Sequence, residues 1–285
     1  MYRSGNVALN ESTFQKSSYP DKPWWEAGNT SVRNPGMTIE GVTEKGAVTF
    51  LLFITSGMTI WGLGLTGQPE VAITLAFAGF IFNAVFSIIL FLSWFTSSFQ
   101  GLFANPLFVL TYATSQGLFI GGITFAIEHF GGPESGFQGI TIQAFLITGM
   151  IFGAMLGVYR SGLINVNHNF RIALYSAVFG IMMVYLLSFI LLLFGVSIPL
   201  IHGSGPIGII FSLLVIALGA GMLASDFDFI ERGVENGAPK ELEWRAVFGL
   251  TVTLIWIYLE VLRLLMKLQQ RRCCLLYTSD AADDV

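Results

Sequence analysis

The sequence predicts an all-α integral membrane protein with seven transmembrane helices, and three observations predict it. Only 11% of its 285 residues are charged and 54% are hydrophobic, against a charged share of about 25% in soluble domains. Seven apolar runs reach about the 20 residues that a helix needs to cross a bilayer. The stretches between them carry the Gly, Pro and Asn chemistry of turns.

Residues 1–45 come first, as a polar tail rich in Ser, Asn and Pro whose main apolar feature is Trp24-Trp25. Such a segment buries too little surface to fold alone and is expected to be flexible. The tryptophan pair reads as an anchor at headgroup level or as a partner-binding motif. No apolar run follows Arg3, so no cleaved signal peptide is expected, and the first span is the insertion signal. The membrane domain then covers 46–272, with spans at 46–65, 71–95, 107–127, 140–159, 172–194, 207–225 and 246–265. The breaks are Thr66-Gly-Gln-Pro69, Asn105-Pro106, Gly131-Gly-Pro133, 160–171, 199–206 and a charged stretch at 226–245. Residues 273–285 are expected to be non-native, because Cys274-Leu-Leu-Tyr-Thr-Ser-Asp-Ala-Ala-Asp283 is similar to a translated sequencing adapter. The adjacent Cys273 and Cys274 fit neither a disulfide framework nor metal-ligand spacing.

Short cytoplasmic loops hold the excess of Lys and Arg. A cytoplasmic N-terminus places Lys16, Lys22, Arg33, Lys45, Arg160, Arg171, Arg232, Lys240 and Arg245 inside. Arg263, Lys267, Arg271 and Arg272 disagree, since they would sit near or beyond the outer end of the seventh span. The formal net charge of −4 is small and no basic stripe is interleaved with aromatics, so nucleic acid is not an expected partner.

Few catalytic signatures survive inspection. Gly62-Leu-Gly-Leu-Thr-Gly67 has the dinucleotide-binding spacing, but an apolar span enters it and no βαβ unit follows. Phosphate-loop, zinc-protease and serine-hydrolase motifs are missing, and Gly219-Ala-Gly-Met222 lacks the Asp of an intramembrane aspartyl protease. No enzyme activity and no cofactor are expected. His129, His168 and His202 fall in or beside connections without ligand-spaced companions. Gly149, Gly153 and Gly157 on span four, like Gly117 and Gly121 on span three, recur every four residues and read as packing faces, within the chain in preference to a dimer.

The ionisable residues carry more, because a carboxylate inside a bilayer is costly and marks an ion path, a proton relay or a partner. Glu260, in Leu254-Ile-Trp-Ile-Tyr-Leu-Glu-Val-Leu262, lies about 11 residues or roughly 16 Å from Gly249 at helical rise, near mid-depth. Asp226 is the candidate second acid and Asp228 the runner-up, in Ala224-Ser-Asp-Phe-Asp-Phe-Ile-Glu-Arg232. Two neighbouring carboxylates cannot both ionise cheaply, so they titrate as a unit. The competing readings are a water-facing helix end for Asp226 and Asp228, and an ion pair between Glu260 and Arg263 one turn away.

At these residues the chain resembles the Bax inhibitor family and its bacterial YccA-like branch. Asp226-Phe-Asp-Phe-Ile-Glu-Arg-Gly-Val-Glu-Asn-Gly237 is similar to the family's Asp-Thr-Gln segment with its downstream Asn-Gly. Leu259-Glu-Val-Leu-Arg-Leu-Leu-Met-Lys-Leu268 resembles its Leu-Asp closing helix, with Glu260 in place of the usual Asp. The resemblance implies seven helices with the last central in the bundle, and a pH-sensitive calcium leak. Asp226 and Glu260 would share a proton when closed and meet calcium transiently. Calcium ions, protons and lipid are the implied partners, in a plasma (inner) membrane. Asp228 stands at the family's Gln position and is a competitor of Asp226. The alternative is a non-transporting regulator that binds membrane proteins such as proteases.

Overall fold

A computed structural model describes residues 36–96, 101–130, 139–164, 166–195 and 203–283 of the chain. Most of the N-terminal tail, with Trp24 and Trp25, and also Pro133 and His202 lie outside the described residues. Seven long helices follow one another: α1 (Ile39–Leu65), α2 (Pro69–Phe95), α3 (Pro106–Phe130), α4 (Ile140–Arg160), α5 (His168–Leu193), α6 (Pro206–Glu235) and α7 (Leu242–Asp283). Each is long and apolar enough to cross a membrane, so the chain is a multi-pass membrane protein.

The helices coincide with the seven predicted spans, but several ends differ. Pro69, Pro106 and Pro206 open α2, α3 and α6, where proline's missing N–H costs nothing and its fixed φ suits the first turn. Helix α1 begins at Ile39 rather than 46, because the Thr38 hydroxyl accepts from the Gly41 N–H at 3.0 Å and caps it. Helix α6 runs to Glu235, so the charged stretch 226–245 is not one connection; only 236–241 separates α6 from α7. Apolarity stops near Ser225, yet hydrogen bonding does not, and Asp228 and Arg232 pair one turn apart on the extension.

The chain divides into two compact units. The first holds residues 1–126 and 226–252, that is α1, α2, most of α3, the end of α6 and the start of α7. Its aromatic core stacks Phe103 on Phe248, with centroids 4.9 Å apart and planes 8° apart, and sets Tyr112 edge-on to Phe248 at 4.9 Å. Helices α1 and α3 meet on glycine: a Cβ on Gly117 would lie 1.9 Å from the Ser56 Oγ, and one on Gly121 would lie 2.6 Å from the Gly57 carbonyl oxygen. The predicted packing face on span three is therefore real. Gly64, from the dinucleotide-like spacing, also serves packing, against the Phe125 ring.

The second unit holds residues 127–225 and 253–285. Here α6 meets its neighbours through small residues, since a Cβ on Gly219 would lie 2.7 Å from Ile257 of α7 and one on Gly221 would lie 2.9 Å from Leu174 of α5. The Tyr175 and Ser225 hydroxyls share a hydrogen bond of 2.6 Å. The glycine face of α4 behaves otherwise. Among the described residues nothing lies within 4 Å of a Cβ placed on Gly149, Gly153 or Gly157, so these show no packing partner within the chain for this stripe, against the expectation that favoured one. A four-residue period puts small residues on one face, but does not say that a helix comes to it.

Candidate functional site

Helix α7 is where charge enters the apolar part of the fold. Of its most apolar stretch 61% is buried, against 11% for α1, α2 and α5. Buried positions on one helix can hold polar groups only if neighbouring helices supply their partners. From Thr253 onward α7 lies in the second unit, and there Glu260, Arg263 and Lys267 follow at about one per turn along one side of the helix.

Glu260 is 2% exposed. Its Oε1 accepts from the Tyr185 hydroxyl of α5 at 2.8 Å and from Arg263 Nη1 at 2.5 Å. The same Arg263 nitrogen donates to the Tyr185 oxygen at 2.8 Å, and the guanidinium lies 5.1 Å from the Tyr185 ring centroid. Arginine, tyrosine and glutamate thus close a triangle on a single carboxylate oxygen. Oε2 is buried and has no hydrogen-bond partner among the described residues. The ion pair anticipated between Glu260 and Arg263 is present, with a hydroxyl from α5 added.

Lys267 is 4% exposed, and its ammonium donates to the Gly208 carbonyl and the Ser212 hydroxyl of α6, both at 2.9 Å. This accounts for part of the conflict in the orientation count. Lys267 is packed against the first turns of α6 rather than lying in a loop, so it does not report which side of the membrane is which.

Asp226 is 2% exposed, although it sits where α6 leaves its apolar stretch. Asp228 pairs with Arg232, both carboxylate oxygens lying 3.2 Å from Nε, and its side chain keeps 13% exposure. The water-facing reading therefore fits Asp228 better than Asp226. Both aspartates belong to the first unit and Glu260 to the second. Among the described residues no three His, Cys, Asp or Glu side chains gather as a metal site would require.

A second buried acid lies in the first unit. Glu243, 0% exposed on the first turn of α7, accepts from the Thr38 N–H at 2.9 Å, from the Thr38 hydroxyl at 3.3 Å and from the Lys45 ammonium. Lys45 also lies 5.3 Å from the centroid of a Trp244 ring. Just before α1, the Met37 N–H donates to the Ala238 carbonyl at 2.6 Å, and Gly36 bridges Pro239. Gly237, at φ 62°, makes the turn after α6 that turns this carbonyl toward Met37. The segment leading into α1 is thus strapped to the connection between α6 and α7. A Cβ on Gly41 would fall 2.5 Å from the Glu243 carboxylate, so with any larger residue there the carboxylate would have to shift.

Sequence reasoning singled out Glu260 and Arg263 and passed over Tyr185, Glu243 and the buried role of Lys267. The spacing of 260, 263 and 267 was a usable signal, because those positions share one helix face. Tyr185 and the Lys45–Glu243 pair left none, since their partners are far away in sequence.

The family model described as Bax inhibitor 1 like matches residues 6–270. No curated protein and no solved structure matches the chain.

Proposed function

Because the chain belongs to the Bax inhibitor 1 like family, we propose that it is a pH-sensitive calcium leak of a bacterial plasma membrane, of the YccA-like branch, in which Glu260 and Asp226 are the acid pair. The observation that carries this reading is Glu260 itself: a carboxylate 2% exposed, in the middle of an apolar helix, with one oxygen fully engaged and the other without a hydrogen-bond partner among the described residues. A buried carboxylate of this kind is costly to keep and marks an ion or proton path by default. Carboxylate oxygens are also the hard ligands that calcium prefers. Asp226 is preferred over Asp228 as the second acid, because it is buried while Asp228 is committed to Arg232. The cytoplasmic N-terminus follows from the loop charges.

Purified protein in liposomes loaded with a calcium indicator tests the proposal across a pH series. Glu260→Gln and Asp226→Asn are expected each to change the flux and to flatten its pH response. Flux and pH response equal to wild type in both variants would refute the assignment. The regulator reading, in which the chain binds membrane proteases without transporting, predicts loss of partner recovery on deleting residues 1–36 and no calcium flux from any variant.

A further inference from the structure

We propose that Arg263, held by Tyr185, is a tethered cation that occupies Glu260 in place of a mobile one, so that a divalent cation reaches this carboxylate only when Arg263 swings out. The inference rests on the reading of Glu260 as a cation-handling group and adds how access to it is controlled. Three observations point to it. Arg263 Nη1 bonds both the Glu260 Oε1 and the Tyr185 oxygen, so the hydroxyl from α5 fixes the guanidinium on the carboxylate from a second direction.

Exposure then separates the partners. The Arg263 side chain is 36% exposed and that of Glu260 is 3% exposed. A long arginine at such a border can move its head toward water while keeping its stem packed. The glutamate has no such exit, and the arginine is therefore the member that moves.

The charges supply the third argument. With Arg263 in place, one carboxylate faces two cations, Arg263 and Lys267, and the surplus positive charge repels an incoming divalent ion. Lys267 is held by Gly208 and Ser212 on α6 and stays. With Arg263 withdrawn, Lys267 balances Glu260, and the carboxylate presents the side of Oε1 that Arg263 leaves, Tyr185 keeping its own bond, together with Oε2, which has no partner among the described residues. Tyr185 is then a positioning residue: without its oxygen, Arg263 keeps the carboxylate but loses its second anchor.

Terbium luminescence on the full chain in detergent tests this apart from transport, using Tb³⁺ as the calcium stand-in, with competition by calcium. Removing a hydrogen bond to a charged group is expected to change an equilibrium by about tenfold or more. Arg263→Gln is expected to tighten Tb³⁺ binding by about that factor, and Tyr185→Phe by a few-fold. Glu260→Gln is expected to abolish the site, and Arg263→Gln added to it to restore nothing. Tyr185→Phe leaves the ion pair charge-balanced, so it keeps the test decisive should Arg263→Gln not elute as a single species. Binding unchanged in Tyr185→Phe and in any folded Arg263→Gln, with the site still lost in Glu260→Gln, overturns the tethered-cation role and leaves the proposed function standing. Binding that survives Glu260→Gln overturns both.

Discussion

Replacing Lys45 by Met removes the cation from a carboxylate that has nowhere to go. Glu243 is 0% exposed, whereas the Lys45 side chain retains 19%. Breaking a buried pair costs about 3–5 kcal/mol when a charge is left behind. Because Lys45 is partly hydrated in the native state, the lower end applies, about 3 kcal/mol. The carboxylate keeps its two bonds from Thr38 but must draw in water to stay charged, and the simplest way is to open the strap at residues 36–41. At about 1.4 kcal/mol per factor of ten, local opening should become about a hundredfold more frequent.

Hydrogen exchange at the Met37, Thr38 and Gly41 amides reads this directly. Their partners are the Ala238 carbonyl, the Glu243 carboxylate and the Thr38 hydroxyl. Glu243→Gln is the instructive comparison. The amide oxygen still accepts from Thr38 and the half-freed lysine turns to water, so exchange should rise by about tenfold or less. The double variant should match Glu243→Gln alone, because no buried charge is then stranded. Exchange in Lys45→Met no faster than in Glu243→Gln would refute the reasoning, since it would show that the charge of Glu243 does not govern the strap.

Other outcomes follow from the packing. Gly117→Ala should destabilise the detergent-solubilised protein by about 1–3 kcal/mol or prevent folding, because its Cβ meets Ser56 at 1.9 Å and the Phe53 carbonyl at 2.3 Å. Gly153→Ala, with no described residue within 4 Å of the new Cβ, should be neutral or should stabilise by up to about 1 kcal/mol through helix propensity. Thermal unfolding compares the two, and equal effects would mean that the α1–α3 approach is wrong. Phe248→Ala should cost about 3–5 kcal/mol, since Phe248 is 0% exposed and stacked on Phe103. A loss below about 1 kcal/mol by the same measurement would show that this aromatic core is not well packed.

The candidate site was partly legible. Glu260 stood out because a charge in an apolar run is expensive wherever the chain folds, and Arg263 followed from helical spacing alone. The charged stretch after Ser225 is ambiguous in sequence, because its polarity suggests the end of α6 although hydrogen bonding carries the helix to Glu235. The two glycine repeats look alike in sequence, yet one holds α1 against α3 and the other meets nothing within 4 Å among the described residues. Periodicity assigns residues to a face, and it is silent on what stands opposite.

The sequence by itself determined seven membrane-crossing helices, because bilayer thickness sets the length of an apolar helix and backbone groups in lipid must be satisfied within it. It also determined that a charge would be buried in the last of them. Only the tertiary structure decided how that charge is held: Oε1 of Glu260 bound by Tyr185 and Arg263 and Oε2 without a partner among the described residues, Lys267 tied to α6, and Glu243 strapped to the entrance of α1. Apart from the Glu260–Arg263 pair, one turn apart on α7, these contacts join residues tens to hundreds of positions apart. Hydrogen bonds reach about 3 Å, so their partners are chosen by how helices pack and cannot be read from the order of residues along any one of them.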